Sequence, residues 1–222
     1  MRDGQIAMHL LLQLLLLAGP HGWVPLLNGK DLAGWEVVGE GVWSVWKDGT
    51  LVGQCDPRKP CLHQSWLYTK REFGEFDLYL EFWTRLGGNS GVSIRDTSRA
   101  RWAVGAEWDP NRTPSHIGYE IQISNGYPDR YPTGSIYLLA AARDPDMRSD
   151  WNTLEIESRF ERIRVKLNGK LVAEHPGLPD RPKTGPIGLQ LHDRNSIVMF
   201  RNIRIRELTL PPAGARKPPA GR

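Results

Sequence analysis

Apolar and polar residues alternate along most of the chain, with Gly, Asn, Asp and Pro between the alternating segments. In EFDLYLEFW (75–83), the apolar residues Phe76, Leu78, Leu80 and Phe82 occupy every second position. Because successive side chains of a strand point to opposite faces, this spacing predicts a strand with one buried face.

Two segments carry the residue pairs that favour tight hairpin turns. Asn168-Gly169 divides the alternating segment 161–174, and Asp48-Gly49 divides 42–53. Such pairs adopt the primed turns that suit the twist of paired strands, so both segments are predicted hairpins. Further predicted strands are 66–70, 90–95, 118–124, 135–139, 152–158, 186–192 and 197–207.

The predicted strands are short and closely spaced over residues 24–208. Outside the first 23 residues, no stretch of twelve or more residues has a helical apolar stripe. About ten short strands with turn residues between them are typical of a jelly roll. We therefore predict an all-β, single-domain jelly-roll β-sandwich.

In three predicted strands, polar residues occupy the positions between the apolar ones. In GYEIQISNG (118–126), Tyr119, Ile121 and Ile123 alternate with Glu120, Gln122 and Ser124. An antiparallel sheet normally has one solvated face, which is the simplest interpretation. A cation, a carboxylate, an imidazole and two amides on one face would also suit a polyhydroxylated ligand. The residues expected to share that face are Arg95, Glu120, Gln122, Gln190 and His192.

The distribution of charge argues against a nucleic-acid partner. The chain of 222 residues has a formal net charge of +4, but Arg216, Lys217 and Arg222 lie in its last fourteen residues. A nucleic-acid-binding domain would concentrate basic residues on its folded part. We predict that this domain does not bind nucleic acid.

The two ends of the chain differ in composition from the rest. The apolar run from Met8 to Ala18 is too short to span a bilayer and suits an export signal, although Asp3 offsets Arg2 and a buried helix is the alternative. The Pro-, Ala- and Gly-rich end has little to bury. We therefore predict an export signal (1–23), one domain (24–208) and a loose basic tail (209–222), in a periplasmic, extracellular or cell-surface protein without a membrane span.

Two cysteines, Cys55 and Cys61, enclose a turn-rich loop. In an exported protein they could form a disulfide, and in a reducing compartment they would be two thiols. Neither a CxxC redox motif nor a zinc-binding pattern is present in the sequence.

Two further features of the sequence are also found in proteins that hydrolyse or bind sugars. Glu75, Asp77 and Glu81 are similar to the strand motif of laminarinase-type glycoside hydrolases, but the outer two would lie about 20 Å apart along a strand. That distance is too long for two carboxylates that flank one glycosidic bond. The nine Trp residues offer stacking surfaces for sugars, although most are expected in the core.

An ordered set of motifs resembles one known family. VPLLNGKDLAGW (24–35) is similar to the opening of the 3-keto-disaccharide hydrolase domains. The rest of the resemblance follows in order over residues 25–208: LYTKREFGEFDLYLEF, GGNSGVSIR, GYEIQISNG, PTGSIY, DWNTLEI, LNGKLV, GLQLHD and FRNIRIREL.

The resemblance implies a concanavalin A-like jelly roll, export from a bacterial cell and action on sugars oxidised at C3. A ketone at C3 acidifies the C2 proton, so a base can form an enolate and the oxygen at C1 can leave by β-elimination. Water then adds to the unsaturated sugar, giving net hydrolysis. This route needs a base, an enolate stabiliser and a leaving-group acid.

The roles are assigned as a hypothesis. His192 is expected to be the base, Arg95 the enolate stabiliser, and Glu120 the leaving-group acid or a metal ligand. A divalent metal held by Glu120 and His192 is an option, since it would assist as a Lewis acid. The residues expected to bind sugar hydroxyls are Gln122, Gln190 and Asn89, with Lys70, Tyr137 and Arg201 as further candidates.

The chain departs from the family pattern at Leu191, where many relatives have Asp; by parity Leu191 faces the core. The loop from Asp96 to Ile117, with Trp102 and Trp108, is expected to select the substrate. Two other functions remain open: a non-catalytic carbohydrate-binding module of the same fold, and a structural domain of a surface assembly.

Overall fold

The computed structural model describes residues 22–59, 61–126 and 130–208. Thirteen strands lie in these residues, together with a 3-10 turn (Gly105–Glu107) and one short helix, α1 (Pro114–Ile117). In chain order the strands are β1 (Val24–Pro25), β2 (Trp35–Val38), β3 (Val42–Val45), β4 (Leu51–Gln54), β5 (Ser65–Thr69), β6 (Phe76–Thr84), β7 (Asn89–Ile94), β8 (Tyr119–Ser124), β9 (Asn152–Arg159), β10 (Arg162–Leu167), β11 (Lys170–His175), β12 (Ile187–Leu191) and β13 (Ile197–Glu207).

The strands form two antiparallel sheets. The eight-stranded sheet has the order β11-β10-β9-β6-β13-β4-β3, and β1 also pairs with β13. The five-stranded sheet has the order β2-β5-β12-β7-β8. Residues distant in sequence therefore become neighbours, and the prediction of an all-β jelly-roll sandwich is confirmed.

The core lies between the sheets and follows the predicted alternation. Phe76, Leu78, Leu80 and Phe82 on β6 are buried in one cluster, which also contains the alternate residues of β8. Leu191 belongs to the same cluster, as its parity predicted. Because these side chains face inward, the intervening residues of each strand lie on an outer face.

Both predicted hairpins are present. Asn168 and Gly169 connect β10 and β11 with φ angles of 51° and 82°, as a primed turn requires. The turn between β3 and β4 places Gly49 at a φ of 84°.

One predicted strand is wrong, and two short strands were not predicted. Residues 135–139 form a turn in which only Ile136 makes strand-like bridges, to Ile121 and Ala140. The Ser135 hydroxyl donates to Pro132 O (2.6 Å) and accepts from Ala142 N (2.9 Å). Such side-chain bonds to the backbone favour a turn over a ladder. The unpredicted strands, β1 and β2, are only two and four residues long.

The carboxylates that resembled a laminarinase motif are engaged in contacts away from the five-stranded sheet. Asp77 accepts from Arg159 (2.6 Å) and Arg206 (2.6 Å). Burial acts to raise the pKa of Asp77, but these two arginines outweigh it and leave the pKa below its ordinary value. Glu81 pairs with Arg201 (2.6 Å), and the carboxylate of Glu75 accepts from the backbone of Phe160 (2.9 Å). These carboxylates stabilise the fold.

Cys55 and Cys61 form a disulfide with their Cα atoms 6.0 Å apart. In the described ranges, no helix has the length and apolar character needed to cross a membrane. The predicted basic tail (209–222) lies outside the described residues, as do residues 1–21 of the predicted export signal.

Candidate functional site

A cavity of about 290 Å³ lies over the outer face of the five-stranded sheet, at the small end of the range for small-molecule sites. Strand residues of β7, β8 and β12 form its floor, and the loop before β8 forms a wall. The residues that line it are Gln64, Asn89, Trp108, Pro110, Thr113, Ser115, His116, Glu120, Gln122, Tyr137, Leu138, Gln190 and His192.

Strand register brings the floor residues together. Gly91 on β7 pairs with Gln122 on β8, and Ser93 pairs with Glu120. On the other side of β7, Ser93 pairs with Gly188 of β12, two residues before Gln190. Cross-strand neighbours on one face lie about 5 Å apart. The predicted grouping of Glu120, Gln122 and Gln190 on one face is therefore observed.

Gly91 makes room for the carboxyl group of Glu120. A Cβ atom at Gly91 would lie 2.7 Å from Glu120 Oε1 and 3.3 Å from Gln190 Oε1. No side chain other than hydrogen fits there without moving the carboxylate. Glu120 therefore lies across the neighbouring strand instead of pointing away from the sheet.

Glu120 is the most perturbed acid of the cavity. Burial raises its pKa from 4.5 to about 7, against the opposing effects of the charge on His192 and a hydrogen bond from Gln190; Asp96 adds to the rise. A carboxyl group with a pKa near 7 is divided between its acidic and basic forms at neutral pH. It can therefore donate or accept a proton there.

His192 follows β12 directly and is fixed by the next residue. Its Nδ1 lies 3.3 Å from Asp193 Oδ2. Asp193 Oδ1 also accepts from the backbone of Asn195 (2.8 Å) and Ser196 (3.0 Å), and the Ser196 hydroxyl accepts from Asn89 N (3.0 Å). The hydrogen bond from His192 is the main cause that lowers the pKa of Asp193. An ionised Asp193 favours a proton on Nδ1, which leaves Nε2 as an acceptor.

Two amide oxygens at the cavity have no partner in the described part of the chain. They are Asn89 Oδ1 and Gln190 Oε1, and both atoms are buried. A buried acceptor without a hydrogen bond is costly.

The loop between β7 and β8 is anchored by Asp96. The Asp96 carboxylate accepts from Tyr68 OH (2.6 Å), the Ser98 hydroxyl (2.6 Å) and Ala100 N (2.8 Å). Tyr68 stacks on Trp66 at a centroid distance of 5.7 Å, and the start of the loop packs on this pair. The loop thus covers one half of the sheet and leaves the cavity over the other half.

The two tryptophans of this loop differ in position. Trp108, 49% exposed, lines the cavity. Trp102 is not among the lining residues, and the guanidinium of Arg112 lies 3.5 Å from the centroid of its ring. The loop therefore offers one aromatic surface at the cavity.

Arg95 does not lie where the alternation predicted. Its φ of 60° breaks the strand after Ile94, so its side chain leaves the polar face. Nη2 donates to Arg159 O (2.8 Å), and burial lowers the pKa of the guanidinium. The prediction that Arg95 shares a face with Glu120 is therefore wrong.

Two of the further candidates are also far from the cavity. Lys70 is exposed and follows the last residue of β5, whereas Gln64 precedes the first residue of that strand. Arg201 belongs to the eight-stranded sheet and pairs with Glu81. Tyr137, the third of these candidates, lines the cavity.

Sequence reasoning named Trp108 of the loop but missed Gln64 and the other loop residues that line the cavity. The pairing of Leu191 with Ser65 places the next position, Gln64, beside His192. That register could not be read from one strand. Thr113, Ser115 and His116 come from α1 and its flank, where no strand alternation applies.

The cavity contains three side chains of conventional metal-ligand type, His116, Glu120 and His192. Within the described ranges, no three His, Cys, Asp or Glu side chains cluster as metal ligands do. These residues do not make a complete metal centre by themselves. A divalent metal at this cavity stays a prediction.

Comparisons with known proteins agree with the fold. The model of the 3-keto-α-glucoside-1,2-lyase-like domain family matches residues 22–206. One structure from Parabacteroides distasonis, described as a candidate glycosyl hydrolase, is 30% identical with a TM-score of 0.62 and covers 84% of this chain and 99% of its own. A second from that organism, with the same description, is 21% identical, with a TM-score of 0.66 and coverages of 85% and 95%. A carbohydrate-binding module of Bacillus subtilis is 16% identical, with a TM-score of 0.55 and coverages of 78% and 96%. No curated protein matches the chain.

Proposed function

Because the chain belongs to the family of 3-keto-α-glucoside-1,2-lyase-like domains, we propose that it cleaves glycosidic bonds of 3-keto sugars by elimination followed by hydration. One observation carries the proposal. The buried carboxyl group of Glu120, with its pKa raised to about 7 by burial, shares a cavity with His192. An acid and a base on one cavity are what an elimination requires.

The first step breaks the C2–H bond. Nε2 of neutral His192 takes the proton, and the electron pair forms a C2–C3 double bond while the ketone oxygen becomes an enolate. Asp193 holds Nδ1 and stabilises the imidazolium that forms. His192 keeps the base role that its position in the sequence suggested.

The second step breaks the bond between C1 and the glycosidic oxygen. The enolate restores the ketone, a double bond forms between C1 and C2, and Glu120 gives its proton to the leaving oxygen. Addition of water across the new double bond then gives the 3-keto sugar. No redox change occurs. In the hydration, Glu120 takes a proton from the water that adds to C1, and His192 returns its proton to C2, so both side chains regain their starting forms.

Amide and aromatic groups of the cavity are suited to the sugar. Asn89 and Gln190 line the cavity, and their amide groups can hydrogen-bond to sugar hydroxyls. Gln122 and Tyr137 also line the cavity, and Trp108 gives a surface on which an apolar sugar face can stack.

The test follows leaving-group release from chromogenic α- and β-glucosides and their 3-keto derivatives. Each is assayed with chelator and with added divalent cation, which also tests the predicted metal. We expect release from the keto compounds only, lost about 10²-fold or more in His192→Ala and Glu120→Gln. Lys70→Ala is the matched control, because Lys70 is exposed away from the cavity.

Other outcomes would change the assignment. Full activity of both variants would refute the roles given to His192 and Glu120. Binding of a 3-keto glycoside without turnover would favour a carbohydrate-binding module. Cleavage of the unoxidised glycosides would contradict the elimination route.

We also propose that the chain is exported. The disulfide between Cys55 and Cys61 supports this, because disulfides persist mainly in oxidising compartments. Expression of the full chain in a bacterium, followed by mass measurement of the periplasmic protein, tests it. Loss of about the first 23 residues is expected, and retention of the intact chain in the cytoplasm would contradict it.

A further inference from the structure

A second histidine, His116, lines the same cavity as Glu120 and His192. It lies on α1, three residues before the start of β8, and is half-buried. The elimination needs a group that stabilises the enolate, and Arg95 lies elsewhere. His116 is therefore the cavity residue to examine for that role.

The ring of His116 is oriented through one nitrogen. Nδ1 lies 2.9 Å from the Thr113 hydroxyl, which in turn lies 2.8 Å from the Ser115 hydroxyl. When Thr113 donates to Nδ1, the neutral ring carries its proton on Nε2. Within the described part of the chain, Nε2 makes no hydrogen bond that competes for this proton.

Arg181 fixes the helix that carries His116. Its Nη1 donates to Ser115 O (2.9 Å) and to Gly118 O, and its guanidinium lies 4.9 Å from the centroid of the Tyr119 ring. Burial, and then the charge of Arg181, lower the pKa of His116. The lowered pKa favours the neutral imidazole, and the contacts of Arg181 fix α1 beside the strand that carries Glu120.

Resting on the proposed function, we propose that His116 is the enolate stabiliser of this site. Its Nε2–H donates a hydrogen bond to the C3 oxygen as negative charge develops there. A neutral imidazole is suited to this, because it donates without first transferring its proton. A donor aimed at a developing oxyanion commonly contributes 10²- to 10³-fold in rate.

The test separates enolisation from cleavage. The probe is 3-keto-1,5-anhydroglucitol, which has hydrogen in place of an aglycone at C1, so it can enolise but has no aglycone to lose. Exchange of its C2 proton for deuterium in D₂O is followed by NMR, and the rate in buffer alone is subtracted. Wild type should catalyse exchange, and Glu120→Gln should keep exchange while it loses cleavage of a 3-keto glycoside.

Two conservative variants test whether Nε2 of His116 acts as the hydrogen-bond donor. His116→Gln keeps a donor near the position of Nε2 and should retain exchange within about 10-fold, whereas His116→Asn lacks it and should lose about 10²-fold. His175→Gln is the matched control. The pKa of His175 is likewise lowered by burial and by Arg181, and His175 lies outside the cavity. Its exchange rate should match that of wild type.

Exchange at the wild-type rate in folded His116→Asn would overturn the inference. Equal losses in His116→Gln and His116→Asn, with both proteins folded by circular dichroism, would also overturn the donor role. If wild type neither exchanges the probe nor cleaves a 3-keto glycoside, the proposed function itself fails.

Discussion

The hydrogen of Gly91 lies where any larger side chain would meet the carboxyl group of Glu120: an added Cβ would lie 2.7 Å from Oε1 and 3.1 Å from Cγ. The two residues belong to neighbouring strands, β7 and β8. The position of the acid therefore depends on a residue that has no functional group.

Gly91→Ala should displace this carboxyl group and lower cleavage about 10²-fold, since small misplacements of catalytic groups have effects of that size. Gly74→Ala is the control, because its Cβ would make only ordinary contacts, the nearest at 3.4 Å from Thr184. Steady-state kinetics and thermal melts of both variants test this. Unchanged cleavage by a folded Gly91→Ala protein would show that the carboxyl position is not critical.

Glu120→Gln should stabilise the protein at high pH. The folded pKa of Glu120 is raised above its unfolded value, so the folded state binds more protons between about pH 4.5 and 7. Stability from this group is full below that window and is lost as the pH rises through it. Removing the ionisation should add up to about 3 kcal/mol at pH 8.

Urea unfolding of wild type and Glu120→Gln at pH 4 and pH 8 measures this difference. The exposed Glu161, replaced in Glu161→Gln, provides the control. A Glu120→Gln protein no more stable than wild type at pH 8 would contradict the raised pKa.

Arg95→Met should leave cleavage nearly unchanged. Arg95 is fully buried, and its Nε and Nη1 have no partner in the described residues. Relief of these unsatisfied donors should offset the lost bond to Arg159 O, so the free energy of unfolding should change by only about 1 kcal/mol. Cleavage assays and urea unfolding check both expectations. A 10²-fold loss of cleavage at unchanged stability would restore Arg95 as a functional residue.

Asp77→Asn should lower stability without lowering activity. The carboxylate pairs with Arg159 and Arg206, and the variant should cost about 2 kcal/mol at pH 7. Because the folded pKa of Asp77 is depressed, this difference should shrink as the pH falls through that pKa. Asp144→Asn is the control, since the side chain of Asp144 is 92% exposed. Loss of cleavage in a folded Asp77→Asn protein would favour the laminarinase-like interpretation.

The floor of the cavity was predictable because strand alternation is a local property. Glu120, Gln122 and Gln190 each alternate with core residues, so their facing follows from their own strands. In the sequence Arg95 continues the same alternation, but its positive φ turns the side chain away. A backbone angle of that kind in a residue other than Gly leaves no mark in the spacing of apolar residues.

The walls of the cavity could not be predicted in this way. Gln64 depends on the pairing of two strands more than 100 residues apart in sequence. His116 depends on a four-residue helix fixed by Arg181, which lies after β11. Long-range contacts set both positions, and one sequence does not specify which distant segments meet.

The anchoring of the loop at Asp96 divides the surroundings of the cavity into two parts. The anchored start of the loop is fixed by its contacts, whereas the later part of the loop can change in sequence. Tyr68, Ser98 and Ala100 hold the first turn of the loop against the sheet, while Trp108 lies farther along it. Residue exchanges around Trp108 are therefore expected to leave Glu120 and His192, the proposed acid and base, in place. Selection from a mutant library confined to residues 104–112 should therefore yield variants with a changed aglycone preference. These variants should keep the fold and the proposed elimination chemistry.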